Sequence, residues 1–352
     1  MKMEMMGGIK MVAFIKNIGF PRFMMSLLLV VILVTAIFVG IPIGMVMTDL
    51  IQRVGMYGII VLAMVPSIQS GTGPNFAVTI GIVLGLLAAT TAIEFELVGT
   101  TAFIFAILMA LPLSVIVGIL YGKLLNACKG AEMTIATYTG FSIVQLMCIG
   151  WIILPFTSDI MRWPIGRGLK TTFTLEETFK HVLDNFLKFN IGNVEIPTGL
   201  LLFFFLACFL VYSFTQSKMG TAIQLGGMNN KFAVASGVNI DRGRIIANVI
   251  STYLGAVGII VYSQSFGFIQ LYTAPLMMAF PAVAAVLIGG ATASRAKVSH
   301  VIIGVILFQG VLTSSMPVLN EIIPFGSVAE ISRMVIQNGI ILYALTKVDG
   351  GH

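Results

Sequence analysis

The stretch Gly118-Ile-Leu-Tyr-Gly122-Lys123-Leu124 has the outline of a phosphate-cradling loop, but it fails as one. Its glycine spacing is one residue short, and Leu124 stands where a Ser or Thr hydroxyl would hold Mg²⁺. Gly71-Thr-Gly73-Pro-Asn-Phe76 opens like a dinucleotide-binding loop, yet it lacks the third glycine and follows no predicted strand. The sequence contains no His-Glu-x-x-His motif and no nucleophile elbow. Cys128, Cys148 and Cys208 make no Cys-x-x-Cys pair and lie in or beside apolar segments, where they read as small packing residues. His181, His300 and His352 have no ligand spacing. No catalytic or metal-binding set emerges, so the sequence is that of a non-enzyme, and any ATP chemistry that drives it must reside on another chain.

The polar residues inside the apolar segments are uncharged: Ser67, Gln69, Asn75, Gln145, Asn248, Gln264, Gln309, Gln337 and Asn338. Together they could line a path for a neutral, hydrogen-bonding solute. Taken singly, each also reads as an interhelical hydrogen bond. Proton- or sodium-coupled carriers generally need carboxylates or histidines at membrane depth, and here there is little such material, although backbone carbonyls alone can hold sodium. Asp49 and Arg53 lie one turn apart at a membrane edge and read as a local ion pair. Glu330 and Arg333 fall near the start of the last apolar run.

The elements that must position these groups are membrane spans. Of 352 residues, 58% are hydrophobic and 10% charged, with a mean hydropathy of +1.02. That is too little charge to cover a soluble surface but suits a lipid-facing one. The formal charge of +6 sits mostly in short loops. It therefore marks topology rather than a nucleic-acid partner. Apolar runs long enough to cross predict an all-α integral membrane protein of about ten helices: 23–47, 54–70, 75–93, 97–121, 133–156, 199–215, 245–271, 275–290, 300–319 and 328–346. The first run is too long for the core of a signal peptide and has no cleavage-like sequence after it. Gly71-Thr-Gly-Pro74 and Pro275/Pro281/Gly289-Gly290 predict discontinuous segments near 70–77 and 275–290.

With both termini cytoplasmic, the inner segments 1–22, 122–132, 216–244, 291–299 and 347–352 carry thirteen lysines and arginines, among them the anchors Lys10, Lys16 and Arg22. The short outer loops are acidic, with Glu94, Glu96, Glu321 and Glu330, as the positive-inside rule requires. One outer loop, 157–198, is long and polar. Within it Thr174-Leu-Glu-Glu177 has capping-box spacing, and Leu175, Phe179, Val182, Phe186 and Leu187 share a helical face. This predicts an amphipathic helix, lying on the outer leaflet or serving as a docking surface. The pairs Gly40/Gly44, Gly81/Gly85 and Gly118/Gly122 predict close helix packing.

The inner loop 216–244 carries the most information. Residues 228–236 can form a short helix, with Gly226-Gly227 before it and Gly237 after it allowing sharp turns. Such an element could seat in a groove on a soluble motor, although an ordinary basic loop would also fit. Gly220, Ala222, Gly226, Gly227, Ala235, Ser236, Gly237, Val238 and Ile240 match the inner-loop motif of the ribose-type permeases of ABC importers, with small shifts around Asn229 and Ala233. Ala282-Val-Ala-Ala-Val-Leu-Ile-Gly-Gly290 resembles a second family motif, and Gly73-Pro-Asn-Phe-Ala-Val-Thr-Ile-Gly81 occupies the place of a third. The chain resembles this family over about residues 50–346, most specifically over 220–292.

The resemblance implies one polytopic permease domain, 1–352, in a prokaryotic cytoplasmic membrane. It implies an ATPase-coupling helix over 226–239 that involves Gly226, Gly227, Asn229, Asn230, Lys231, Ala233, Ala235, Ser236 and Gly237. Ser67, Gln69, Asn75, Phe76, Gln264, Phe280 and Gln309 become candidates to line the path. The partners implied are two ABC ATPase subunits, a second permease copy or homologue, an extracytoplasmic solute-binding protein and the lipid bilayer. ATP and Mg²⁺ would be held by the ATPases, with no cofactor on this chain. The sequence also departs from the family: Asn75 replaces an acidic residue, Met278-Ala-Phe-Pro281 replaces an acidic motif, and Ala293-Ser-Arg-Ala-Lys297 replaces a glycine pair. These changes remove charge from the implied path and make a nucleoside, another heterocycle or a modified sugar as fitting as a common sugar. A stand-alone ion-coupled carrier is the alternative; a non-transporting scaffold would not need broken helices.

Overall fold

A computed structural model describes residues 19–164, 168–323 and 325–349. The anchors Lys10 and Lys16 lie outside them. The chain forms α1 (Phe20–Phe38), α2 (Ile43–Leu62), α3 (Met64–Gln69), α4 (Val78–Glu94), α5 (Gly99–Ala127) and α6 (Glu132–Ile153). An outer segment follows with β1 (Thr172–Thr174), α7 (Val182–Asn185), β2 (Phe189–Ile191) and β3 (Val194–Ile196). Then come α8 (Thr198–Gln216), α9 (Lys218–Met228), α10 (Asn230–Ala235), α11 (Ile240–Phe266), β4 (Phe268–Gln270), α12 (Thr273–Met277), α13 (Ala279–Ile288), α14 (Val298–Ile322) and α15 (Gly326–Asp349).

Eight of these helices, with α2 and α3 taken as one, are long and apolar enough to cross a membrane, and two shorter apolar ones, Val78–Glu94 and Thr273–Ile288, complete the series. The protein is an all-α, multi-pass membrane protein, and its spans correspond one for one to the predicted runs. Helix α11 runs through the middle, packed on α2, α4 and α5. Helix α4 is buried on nearly every side. Helices α1, α5, α6, α8 and α15 form the rim and expose apolar side chains, as a bilayer allows.

The first boundary differs from the prediction. Helix α1 ends at Phe38, and the chain turns through Gly40, whose φ is +83°, into Pro42, which precedes α2. Residues 43–53 therefore belong to the second span, so Asp49 and Arg53 lie within a helix rather than in a loop. The two predicted breaks are present. Gly71 and Gly73 take left-handed φ values of +77° and +78° between α3 and α4. Met278 separates α12 from α13, where Pro281 cannot donate to the preceding turn.

The amphipathic helix predicted over 174–187 does not form. The Thr174 hydroxyl accepts from the Glu176 backbone N–H rather than capping a helix. Strand β1 pairs antiparallel with β4, and the Leu175 N–H donates to the Gly267 carbonyl. Leu175 and Phe179 are fully buried in the main core instead of facing lipid. His181, at a φ of +54°, leaves only the four-residue α7 helical. Burial of two large side chains at the outer end of the bundle outweighed local helical patterning.

The glycine pairs divide in the same way. Gly81 and Gly85 lie against the α11 backbone at Thr252 and Ala256, and Gly118 and Gly122 against Val249 and Ile245. Gly40 and Gly44 do not pair helices: Gly40 makes a turn, and Gly44 packs on Asn193 of the outer hairpin. The closest approach joins α13 to α14, where a Cβ on Gly304 would collide with the Ala285 carbonyl. Gly304→Leu is expected to cost on the order of 3 kcal/mol, read as a lower unfolding midpoint and a smaller monodisperse fraction. Gly339→Leu, whose Cβ meets nothing within 4 Å, should leave both unchanged.

Candidate functional site

On the inner face, three side-chain caps cut the chain between α8 and α11 into short helices. Ser217 accepts from the Gly220 N–H at 3.1 Å, Asn229 from Phe232 at 3.1 Å, and Asn239 from Arg242 at 3.0 Å. Each satisfies an otherwise orphaned helix N-terminus. Helix α10 begins after the Asn229 cap and ends at Ala235, with Gly237, whose φ is +78°, turning the chain beyond it. Asn229, Asn230, Lys231, Ala235, Ser236 and Gly237 are exposed there, while Ala233 is buried and anchors the helix. Three further side chains complete the surface: Met228, Phe232 and Val234 are 56%, 58% and 64% exposed. Sequence reasoning passed over them, although apolar residues in an otherwise polar inner loop were the available signal.

Gly226 and Gly227 do not form the predicted turn. Both lie inside α9, and the chain bends at Asn229. Gly227 instead makes a close contact: a Cβ on it would collide with the Gln69 carbonyl, and a Cβ on Gly71 would lie 2.8 Å from the Gly227 Cα. Helix α9 thus rests, backbone on backbone, on the break between α3 and α4. Arg244 of α11 clamps the same place. Its Nη1 pairs with Glu132 Oε1 at 3.0 Å, and its Nη2 donates to the Gly71 carbonyl at 3.4 Å. Both partners of the ion pair are largely buried, and Glu132 also accepts from the Gly130 N–H at 2.8 Å. The inner starts of α6 and α11 and the broken segment are therefore joined.

Most of the polar residues expected along the path are engaged in holding these breaks. Ser67 Oγ lies 3.0 Å from Thr72 Oγ1 and donates to the Gly73 carbonyl at 2.9 Å. Asn75 donates to Ser251 at 2.8 Å and accepts from the Tyr121 hydroxyl at 3.0 Å and from the Ala77 N–H at 3.1 Å. Gln69 reaches the Ala296 carbonyl at 2.8 Å, on the inner loop after α13. Gln264 accepts from the Leu183 N–H at 3.1 Å at the outer end. Gln309 is buried within α14 and makes no side-chain hydrogen bond among the described residues.

Phe76 and Phe280 do come together, with ring centroids 5.6 Å apart, and Phe141 of α6 lies 6.3 Å from Phe280. Three aromatic rings thus converge, Phe76 from the first break, Phe141 from α6 and Phe280 from α13 just after the second break. Thr134, Tyr138, Phe141, Ser142 and Gln145 of α6 are exposed on one side of that helix, which continues outward with exposed Leu146, Ile149, Ile152 and Ile153. The exposed side of α8 is by contrast apolar over Leu202, Phe205, Leu206, Phe209 and Leu210 and becomes polar at Tyr212, Ser213 and Gln216, toward its inner end. A glutamine and hydroxyls facing hydrocarbon would be costly, so the 134–145 part of the α6 side suits contact with water or protein. Asp49 and Arg53 are not joined as an ion pair among the described residues, whereas Arg333 is chelated by Glu330.

These features are a glycine-contacted inner helix, two broken spans and one polar-faced span, within a bundle of apolar helices. Residues 46–345 match the family described as branched-chain amino acid transport system / permease component. No curated protein and no solved structure matches the chain. With most of its length covered and its spans and inner loop arranged as above, the chain belongs to that family of ABC importer permeases and is a transport subunit of the membrane.

Proposed function

We propose that this chain forms one half of the translocation path of an ATP-driven importer, and that it moves when an ATPase partner displaces α10. The solute class is a small hydrogen-bonding molecule with an uncharged body, such as a sugar or nucleoside, delivered by an extracytoplasmic binding protein. The polar side of α6 and the Phe76–Phe141–Phe280 cluster line the path, and a second permease, identical or homologous, closes it. The observation that carries this reading is the backbone contact between Gly227 and Gly71. A force applied to the exposed side chains of α9 and α10 passes directly into the break between α3 and α4. The Arg244–Glu132 pair then passes it to the inner end of α6. ATP and Mg²⁺ act on the partner, and this chain converts its stroke into alternating access.

The coupling can be tested by a matched pair of variants. Gly227→Val adds a side chain against the Gln69 carbonyl and the Gly71 N–H, whereas the nearest atom to a Cβ on Gly226 is at 3.6 Å. In the assembled, reconstituted transporter, G227V is expected to lower binding-protein-stimulated ATP turnover by on the order of tenfold or more while the ATPase still co-purifies. G226A should behave as the parent. Normal stimulation in G227V contradicts the coupling route.

The path has its own test. In a background lacking Cys128, Cys148 and Cys208, a cysteine introduced by Ser142→Cys should react with a membrane-impermeant thiol reagent in a nucleotide-dependent way. One introduced by Leu206→Cys on α8 should not react. Equal reactivity at both positions, or none at position 142, contradicts the assignment of the α6 face.

A further inference from the structure

Arg53 stands well inside α2 (Ile43–Leu62) with no hydrogen-bond or ion-pair partner among the described residues. Asp49, Arg53 and Tyr57 follow one another at one-turn intervals on one side of that helix, with Gln52 next to Arg53; Asp49 is exposed and the other three partly so. Other elements face them. The Tyr262 ring of α11 lies 5.1 Å from that of Tyr57, and Gln52 donates to Ser265 at 3.2 Å. From Tyr262 an aromatic file runs outward through Phe266 at 5.3 Å to Phe268 of β4 at 5.8 Å, and Phe268 is 42% exposed. Arg53 lies within electrostatic reach of Tyr262, and Arg333 of Tyr57. The charge of Arg333 is satisfied by both oxygens of Glu330. Arg53 is thus the cation of this cluster that no side chain among the described residues chelates, with the Asp49 carboxyl one turn away within its electrostatic reach.

A guanidinium that no hydrogen bond holds is costly in a membrane span, and such residues usually face a water-filled cavity, a counter-charge or a ligand. Its planar fork matches carboxylate and phosphate oxygens in a bidentate manner, and aromatic rings give such a ligand a flat, dry wall. We propose that Arg53, flanked by Gln52 and Tyr57 and faced by Tyr262, is an entry subsite that takes an anionic group, carboxylate or phosphate, of the transported solute. The proposal rests on the reading of this chain as half of a translocation path. It also revises the expectation of a wholly neutral solute, which counted Asp49 and Arg53 as a closed pair. A hydrogen-bonding, uncharged body suits the α6 face, and one anionic group suits the outer mouth.

Modification by phenylglyoxal, followed residue by residue by mass spectrometry on the full transporter in nanodiscs, tests this. Arg53 is expected to react faster than the chelated Arg333. D-glucuronate or uridine 5′-monophosphate should slow its reaction by about tenfold, while D-glucose and uridine should not. Protection by glucuronate alone would assign a carboxylate, and protection by the monophosphate alone would assign a phosphate. Three results would overturn the subsite: an unreactive Arg53, equal protection by the neutral compounds or by none, and protection by the binding protein without any added solute, which would assign the charge to a protein–protein contact. Reactivity is read on Arg53 itself, so these failures leave the path assignment, read at position 142, standing or falling separately.

Discussion

At the inner end of the bundle, the Gly227 Cα sits against the backbone of Gln69 and Gly71. Two glycines are required there because any side chain on either would separate the helices that meet. The contact has consequences in both directions. Toward the cytoplasmic side it fixes α9, from which the Asn229 cap launches α10 with Phe232 and Val234 outward. Toward the membrane it presses on a segment that is not a helix and so can change shape without breaking a ladder of hydrogen bonds. Arg244 completes the joint by binding both the Gly71 carbonyl and Glu132. Removing one partner of such a buried pair generally costs about 3–5 kcal/mol, so the pair ties the three elements together in this structure.

The breaks themselves are expensive features, and the interior polar residues offset that expense. A helix interrupted in hydrocarbon leaves backbone groups without partners. Ser67, Ser70, Thr72 and Asn75 supply them around the first break, with Tyr121 and Ser251 behind Asn75. The buried polar groups around the first break are therefore engaged with its backbone. As proposed, the path is lined by the hydroxyl- and amide-bearing part of α6 and the cluster of rings.

The spans and both breaks were legible because bilayer thickness and the backbone limits of Gly and Pro act on sequence directly. The short inner helix was legible for a similar reason, since its caps and Gly237 are local. What escaped was decided by tertiary contact. Leu175 and Phe179 have helical spacing, yet they are buried under the outer segment once β1 pairs with β4. Ser67 and Asn75 look like lining residues until their partners, many positions away, are known. Gly227 was read as a turn because its value lies in what it touches. Gln145 was noted as polar within a span, but only the fold shows that Thr134, Tyr138 and Ser142 are exposed beside it.

The central claim is that the inner helix and the path-facing span move together. It is tested most directly by pulsed electron–electron distance measurements between spin labels at Ser236, exposed at the end of α10, and Tyr138, 69% exposed on α6. Labels would be placed pairwise within and across the two permeases of the assembled transporter. The account predicts that ATP–Mg²⁺ shifts the cross-permease distances at both positions in step, while the distance from Ser236 to Tyr138 within one chain stays nearly constant. A shift at Ser236 with none at Tyr138, during active transport, would contradict it.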